Sequence, residues 1–232
     1  MGELKDREQI QSHLRKHRID AIFNDELMAF ANLYLFNEGD FICSQGDPSE
    51  YLYILVKGKI KIYMTSAEGK TLILSFKTPL EIIGDIEYIR DIDIINNVQA
   101  VSAVEMIGIP YRMLQQYGSS YAPLLNFMLD IITRKFHVKS NSLSFNLLYP
   151  VEVRLASYLL SVSFDETDSL FTDEASEINV KDTANFIGTS YRHLNRIIQK
   201  FVAEDLIGRS KGTIFIKSRE GLRKVASRSI YE

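Results

Sequence analysis

The chain has 232 residues, 46% of them hydrophobic and 25% charged, with a formal net charge of −3. That length suits two modules, and that composition excludes a disordered chain. A single cysteine, Cys43, excludes an internal disulfide, and no Cys/His cluster offers the three or four ligands of a structural metal site.

The first twenty residues are charge-rich and lack the apolar core of a signal peptide, and no run reaches about 18 uninterrupted apolar residues. A cytoplasmic protein with no membrane partner is expected. Residues 33–110 read as short strands broken by turn signals, an all-β domain. Leu52–Val56, Lys59–Thr65 and Thr71–Phe76 are expected to form a meander, with turns at Lys57-Gly58 and at Ala67-Glu68-Gly69-Lys70. The alternation in Lys59–Met64 assigns Ile60, Ile62 and Met64 to the core and the lysines to solvent.

After Pro110 the period changes, and no proline or glycine interrupts the chain between Pro123 and Leu148. This predicts a helix of about seven turns from about Tyr121. Tyr121, Leu124, Met128, Ile131, Val138 and Phe145 fall at heptad-like spacing, with Leu125, Ile132 and Phe136 as a second stripe beside them. Two stripes need two partners: the strands for one, and the same helix of a second subunit for the other. The first stripe is assigned to the dimer interface, although Lys135 and Ser142 interrupt it; one broad stripe packed within a single subunit is the alternative. Pro150 ends this helix, helical spacing resumes over Val151–Val162, and the acidic stretch Phe164–Glu177 reads as a surface loop. A domain boundary is placed at Tyr149-Pro150, giving an N-terminal β domain over 1–118, a long helix over 119–149 and a C-terminal domain over 150–232.

From Asn179 to Glu232 there are 11 basic residues against 5 acidic, net +6, which leaves net −9 for the rest. A basic module on an acidic body points to a polyanion partner. Within it, Val180–Ile198 has the steric logic of a helix-turn-helix. Ala184 permits close approach of two helices, Gly188 supplies a left-handed turn, and Leu194, Ile197 and Ile198 anchor the second helix. Asn179 is a candidate cap for the first helix, and Thr189 or Ser190 for the second. Tyr191, Arg192, Asn195, Arg196 and Gln199 then fall on the outer face or its edges, a set suited to base edges and phosphates. Gly208–Gly212 followed by Thr213–Lys217 reads as a hairpin with a basic tip, whose Arg209 and Lys211 would contact phosphates. A last helix, roughly Arg219–Ser227, closes the domain.

Strands, long helix and winged helix-turn-helix, in that order, resemble the Crp/Fnr family of bacterial regulators along nearly the whole chain. Phe36–Asp47 followed by Tyr51–Gly58 is similar to that family's cyclic-nucleotide-binding β-roll signature. The resemblance implies an α+β protein: an N-terminal jelly-roll β-barrel sensor, a long dimerisation helix and a C-terminal winged helix-turn-helix domain. It also implies a homodimer on a pseudo-palindromic double-stranded DNA site, activation as the default outcome, and RNA polymerase as a partner. Within the family, Gly188–Leu194 looks closest to the YeiL-like branch. Where better-known members use a Glu and two Arg to read a half-site, Tyr191 and Arg192 replace the first Arg and the Glu, and Arg196 matches the second Arg.

The family's phosphate-binding cassette is matched here by Gly84-Asp85-Ile86-Glu87 and, later, Asn96-Asn97; with Tyr63 and Ser140 these form the candidate effector pocket. The arginine that neutralises a cyclic phosphate is missing and Glu87 adds a negative charge, so an anionic ligand would lack a charge-assisted partner. A degenerate pocket with an unidentified small effector is expected, with Lys139 as a candidate for the missing charge. One cysteine cannot hold an iron–sulfur cluster. Haem through His13, His17 or His137 and redox switching at Cys43 are less favoured than satisfied histidines and an inert buried thiol, so no cofactor is expected. A ligand-binding module whose C-terminal domain contacts protein is the second class; the basic hairpin argues against it. An enzyme is the third: the sequence offers no nucleophile with its base and no Gly-rich phosphate loop, and Asp91 and Asp93 sit in a loop.

Overall fold

The computed structural model describes residues 2–4, 6–69, 71–162, 180, 183–184, 187–210 and 213–226. The β-rich part contains β1 (Gly2–Leu4), β2 (Asn32–Phe36), β3 (Phe41–Cys43), β4 (Tyr51–Lys57), β5 (Ile60–Thr65), β6 (Thr71–Lys77), β7 (Glu81–Ile83), β8 (Asn97–Ala100) and β9 (Val104–Pro110). One antiparallel sheet runs β1-β2-β9-β4-β7, and in a second β8 lies between β3 and β5. The chain divides into two units, Met1–Thr65 with Phe76–Lys135 and Ser66–Ser75 with Phe136–Glu232, so β6 straddles the division.

Of the expected meander only the second pairing forms: β5 and β6 are neighbours in the second sheet, but β4 and β5 do not pair. β4 pairs with β9 and β7, whereas β5 pairs with β8 in the other sheet. The Lys57-Gly58 turn therefore carries the chain from one sheet to the other, the crossing that makes a β-roll rather than a flat hairpin. Gly58 is required there: its φ is +90°, and a Cβ would lie 2.3 Å from the Ala103 carbonyl oxygen.

Alternation along the central strands divides the apolar residues between two cores. Tyr53 and Leu55 of β4, Tyr34 and Phe36 of β2, and Met106 of β9 face the second sheet together with Ile60 and Val98. Leu52, Ile54 and Val56 of β4, with Leu33 of β2 and Ile107 and Ile109 of β9, face the other way and meet helices. Both faces of β4 are buried, so it reads as a continuous apolar run. The alternation in β5 holds only at its start. Ile60 is buried, Met64 is exposed, and Lys61 is buried with its Nζ 5.1 Å from the Tyr63 ring centroid. Lys61 is thus a correction to the expectation that these lysines face solvent; its stem packs while its cation finds an aromatic face.

The helical core includes a segment that carried no strong signal. α1 (Arg7–Lys16) is capped by Asp6, and Ile10 and Leu14, one turn apart, are fully buried. α2 (Asp25–Met28) adds Leu27. After α3 (Asp85–Arg90) and the short α4 (Tyr111–Met113) comes α5 (Ala122–Leu148), the long helix expected from the pattern. Its phase differs from expectation. Leu124, Met128 and Ile131, assigned to a dimer interface, are 2%, 4% and 1% exposed and pack with Ile10, Leu14 and Leu27 in the subunit's own core; Tyr121 packs at its edge. Burial on that scale stabilises by roughly 2 kcal/mol per side chain, which fixes this face inward. Of the adjacent stripe, Leu125 and Phe136 are 41% and 73% exposed and Ile132 is half-buried; Leu129, which belongs to neither expected stripe, is 59% exposed. Val138 is half-buried, and the side chain of Phe145 lies outside the described residues.

The second unit contains α6 (Val151–Val162), α7 (Tyr191–Ala203), a hairpin of β10 (Ile207–Ser210) and β11 (Thr213–Ile216), and α8 (Arg219–Ala226). β10 and β11 are antiparallel, with Ser210 opposite Thr213. The expected acidic loop Phe164–Glu177, the candidate cap Asn179 and the hairpin residue Lys211 lie outside the described residues.

Candidate nucleic-acid interface

α7 is built as an amphipathic helix with a marked start. Ser190, in extended conformation, accepts a hydrogen bond from the His193 amide at 3.2 Å; of the two candidate caps, it is Ser190 that caps α7. Thr189 instead lies with its Oγ1 3.4 Å from His193 Nδ1. Leu194, Ile197, Ile198 and Phe201 form the buried face, as the 3.6-residue period requires. Tyr191, Arg192, Arg196 and Gln199 are exposed and Asn195 is half-buried at the edge. The wing joins this edge: Arg209 Nη1 donates to Asn195 Oδ1 at 3.4 Å. Thr189, Ser190, Tyr191, Arg192, Asn195, Arg196, Gln199 and Arg209 thus share the cap, outer face and adjoining strand of one motif.

The turn before α7 has the geometry its residues call for. Gly188 has φ +69°, Ala184 is buried, and the Thr189 amide donates to the Ala184 carbonyl at 2.8 Å. Two side chains that the sequence reading passed over reach this motif from α6. Arg154 donates to the Ile187 and Gly188 carbonyls, and Glu152 accepts from Lys200 Nζ at 3.0 and 3.1 Å. Neither has a signal at the level of sequence, because their partners lie more than 30 residues away.

In the sensor unit the cassette residues stand in an unexpected state. Gly84, at φ +88°, starts α3; a Cβ there would lie 2.5 Å from Tyr111 Oη and 2.6 Å from the Tyr51 carbonyl oxygen. Tyr111 Oη donates to the Gly84 carbonyl at 2.6 Å and pairs with Ser49 Oγ at 2.7 Å. Asp85 and Glu87 are buried, while Ile86 is exposed. Lys135 Nζ donates to Asp85 Oδ2 at 2.9 Å and to the Ile82 carbonyl at 2.7 Å, and lies 3.2 Å from Glu81 Oε1. The helix lysine that reaches the cassette is therefore Lys135, which explains its interruption of the apolar seam. Burial pushes the Glu81 carboxyl up, but Lys135 and Lys77 outweigh it and hold it below the usual carboxylate range. Glu87 Oε1 accepts from the Ile95 amide at 3.2 Å.

Asn97 accepts from the Gln45 amide at 3.0 Å; Asn96 and Tyr63 are half-buried, and Ser140 is exposed and belongs to the other unit. A cavity of about 360 Å³ lies beside the cassette, lined by Phe41, Cys43, Asp47, Glu50, Tyr51 and Tyr53 among others. Among the described residues, none of the candidate pocket residues and no lysine or arginine lines it. Burial first, then the negative charge of Glu87 and Asp47, pushes the Cys43 thiol up to about 12. The three histidines considered for haem have protein partners: His13 with Glu105 at 2.7 Å, His17 with the Val56 carbonyl at 2.8 Å, and His137 with Asn141 at 3.0 Å. Among the described residues no group of three or more His, Cys, Asp or Glu could hold a metal ion.

A two-sheet β-roll, a long helix and a capped amphipathic helix beside a wing are the architecture of a transcription regulator. The chain belongs to the Crp/Fnr family: residues 35–121 match the cyclic nucleotide-binding domain and residues 153–225 the Crp-like helix-turn-helix domain. It is 25% identical over 204 residues to the regulatory protein YeiL of Escherichia coli O157:H7, covering 88% of this chain and 90% of that one. It is 22% identical over 192 residues to the cAMP-activated global transcriptional regulator CRP of Salmonella typhimurium, covering 82% and 91%. A solved structure from Eubacterium rectale, described as a regulator of the Crp/Fnr family, superposes with a TM-score of 0.66 at 20% identity, covering 89% of this chain and 96% of that one. The protein is a Crp-family transcription regulator with a helix-turn-helix DNA-binding domain. No helix among the described residues is long and apolar enough to cross a membrane.

Proposed function

We propose that the protein acts as a homodimer on a two-fold-symmetric double-stranded DNA site, with α7 of each subunit in the major groove about one DNA turn (~34 Å) from its mate. The observation that carries this reading is the division of α7 into a buried apolar face and an outer face of Tyr191, Arg192, Arg196 and Gln199. Arg192 and Arg196 match guanine edges or phosphates, and Gln199 matches adenine. Arg209, with Lys211 as the sequence places it, serves the flanking phosphates. The exposed stripe Leu125, Leu129 and Phe136 supplies the apolar surface for a second copy. Activation through RNA polymerase in the cytoplasm is the outcome this reading favours.

The sensor responds to something other than a cyclic nucleotide. The Salmonella relative is named for activation by cAMP. Here the carboxylate at the start of the cassette is bonded to Lys135, Glu87 is turned inward, and no cation among the described residues lines the adjoining cavity. A cyclic phosphate would have to displace a charge-assisted pair and would meet no replacement.

Selection of bound sequences from a random DNA pool, with and without cyclic AMP, tests both halves. Enrichment of a symmetric site without nucleotide is expected. Enrichment only with cyclic AMP would refute the reading of the cassette, and none in either condition would favour the protein-contacting alternative.

A further inference from the structure

Arg154 is a charged residue in the wrong place for solubility. It lies on α6 at 9% exposure, beside the fully buried Leu155 and Ala156. Among the described residues no carboxylate pairs with it, and its Nε is buried without a hydrogen-bond partner. A buried guanidinium without a counter-ion is costly, so whatever keeps it there must use its donors. Those donors go to one place. Nη1 bonds the carbonyl of Ile187 and, at 3.2 Å, that of Gly188.

These two carbonyls form the turn between the two helices of the reading motif. A helix end leaves its last carbonyls without amide partners, and a cation there is favoured by their aligned dipoles. The Thr189 amide takes the Ala184 carbonyl and the Ile187 amide takes that of Thr183, so Arg154 completes the set one step further along. The left-handed Gly188 brings its backbone against the guanidinium: a Cβ would lie 3.1 Å from Nη1. Two residues earlier on α6, Glu152 grips Lys200 near the other end of α7. α6 thus holds α7 at its entry and near its exit.

We propose that Arg154 is a positioning residue for DNA reading: by tying the Ile187 and Gly188 carbonyls to α6 it fixes the direction in which α7 presents Arg192 and Arg196. This rests on the DNA-reading role proposed for α7. Base contacts depend on that direction, since hydrogen bonds to base edges tolerate little displacement, whereas contacts to phosphates tolerate much more. Loss of the clamp therefore lowers specific affinity more than non-specific affinity. A merely structural role would lower the amount of active protein and leave the ratio of the two dissociation constants unchanged.

The test uses the full chain as wild type, Arg154→Met and Arg154→Lys. Each is titrated with the site selected by the wild type and with random-sequence DNA of equal length, at one salt concentration and well below the unfolding temperature of each. For Arg154→Met the specificity ratio is expected to fall about tenfold or more, with non-specific binding nearly unchanged. Arg154→Lys keeps the charge but not the fork and should fall between the two. An unchanged ratio in Arg154→Met overturns the proposal. Should that variant not fold, Arg154→Lys decides alone: a lowered ratio supports the clamp and an unchanged one overturns it. A wild type that selects no sequence would instead refute the reading on which the clamp depends, and the clamp with it.

Discussion

Lys135 Nζ stands 2.9 Å from Asp85 Oδ2, so the residue that breaks the apolar seam of α5 is also the one that neutralises a buried acid of the cassette. The same ammonium lies 3.2 Å from Glu81, whose carboxyl is otherwise pushed up by burial. Replacing it, as in Lys135→Met, leaves two buried carboxylates short of a cation. Because the Lys135 side chain is 25% exposed, the cost falls below that of a fully buried pair, about 2 kcal/mol at neutral pH.

The sign of the pH dependence follows from Glu81. Its folded-state titration is depressed, so its contribution is present above the ordinary carboxylate range and lost as pH falls through the folded value. Without Lys135, only Lys77 is left to oppose burial, and the carboxyl takes up a proton at higher pH. Thermal unfolding of both proteins should show a gap that is widest near pH 7 and narrows below about pH 4.5. A gap that stayed constant with pH would mean the pair contributes no charge-dependent stability.

Cys43 should be inert. A thiol pushed up to about 12 carries almost no thiolate at pH 8. Alkylation of the native protein by iodoacetamide is expected to run at least ~100-fold slower than that of the denatured chain. Native-state labelling at the rate of a free thiol would restore the redox-switch reading.

Arg209 tests the wing. It is exposed on β10 and donates a hydrogen bond to Asn195 of α7. Arg209→Ala should weaken binding to all sequences alike and reduce the slope of log K against log salt by about 1. A loss confined to one base position would make Arg209 a base reader instead.

The outward stripe of α5 makes a prediction about assembly. Leu129 is 59% exposed and one turn from Leu125. Leu129→Lys should shift the protein toward monomer in sedimentation at micromolar concentration while leaving its sensor core intact. A variant that sediments as the wild type does would place any dimer contact elsewhere.

These outcomes depend on features that differ in how far the sequence reveals them. The β-rich domain, the length of α5 and the buried face of α7 were legible because each follows from local pattern: short apolar runs between turn signals, an uninterrupted run after Pro123, and Leu194, Ile197 and Ile198 on one side. The phase of α5 was not. Two apolar stripes one residue apart satisfy the same heptad count, and only the burial of Leu124, Met128 and Ile131 in the subunit's own core chooses between them. The β4–β5 half of the meander failed for a related reason. A glycine turn looks alike whether it joins neighbours in a sheet or carries the chain to the next sheet. Lys135 and Arg154 were invisible as functional groups because their partners are distant in sequence, and a lysine or arginine in a helix is ordinarily a surface residue.

Arg196 gives the most direct test of the central claim, that the outer face of α7 reads DNA. Sequence selection from a random pool should be run side by side on the wild type and Arg196→Ala. One base position in each half-site is expected to relax, with a loss of about 1 to 3 kcal/mol for the selected site and the rest of the preference retained. An unchanged preference at every position would contradict the assignment of this face to base reading.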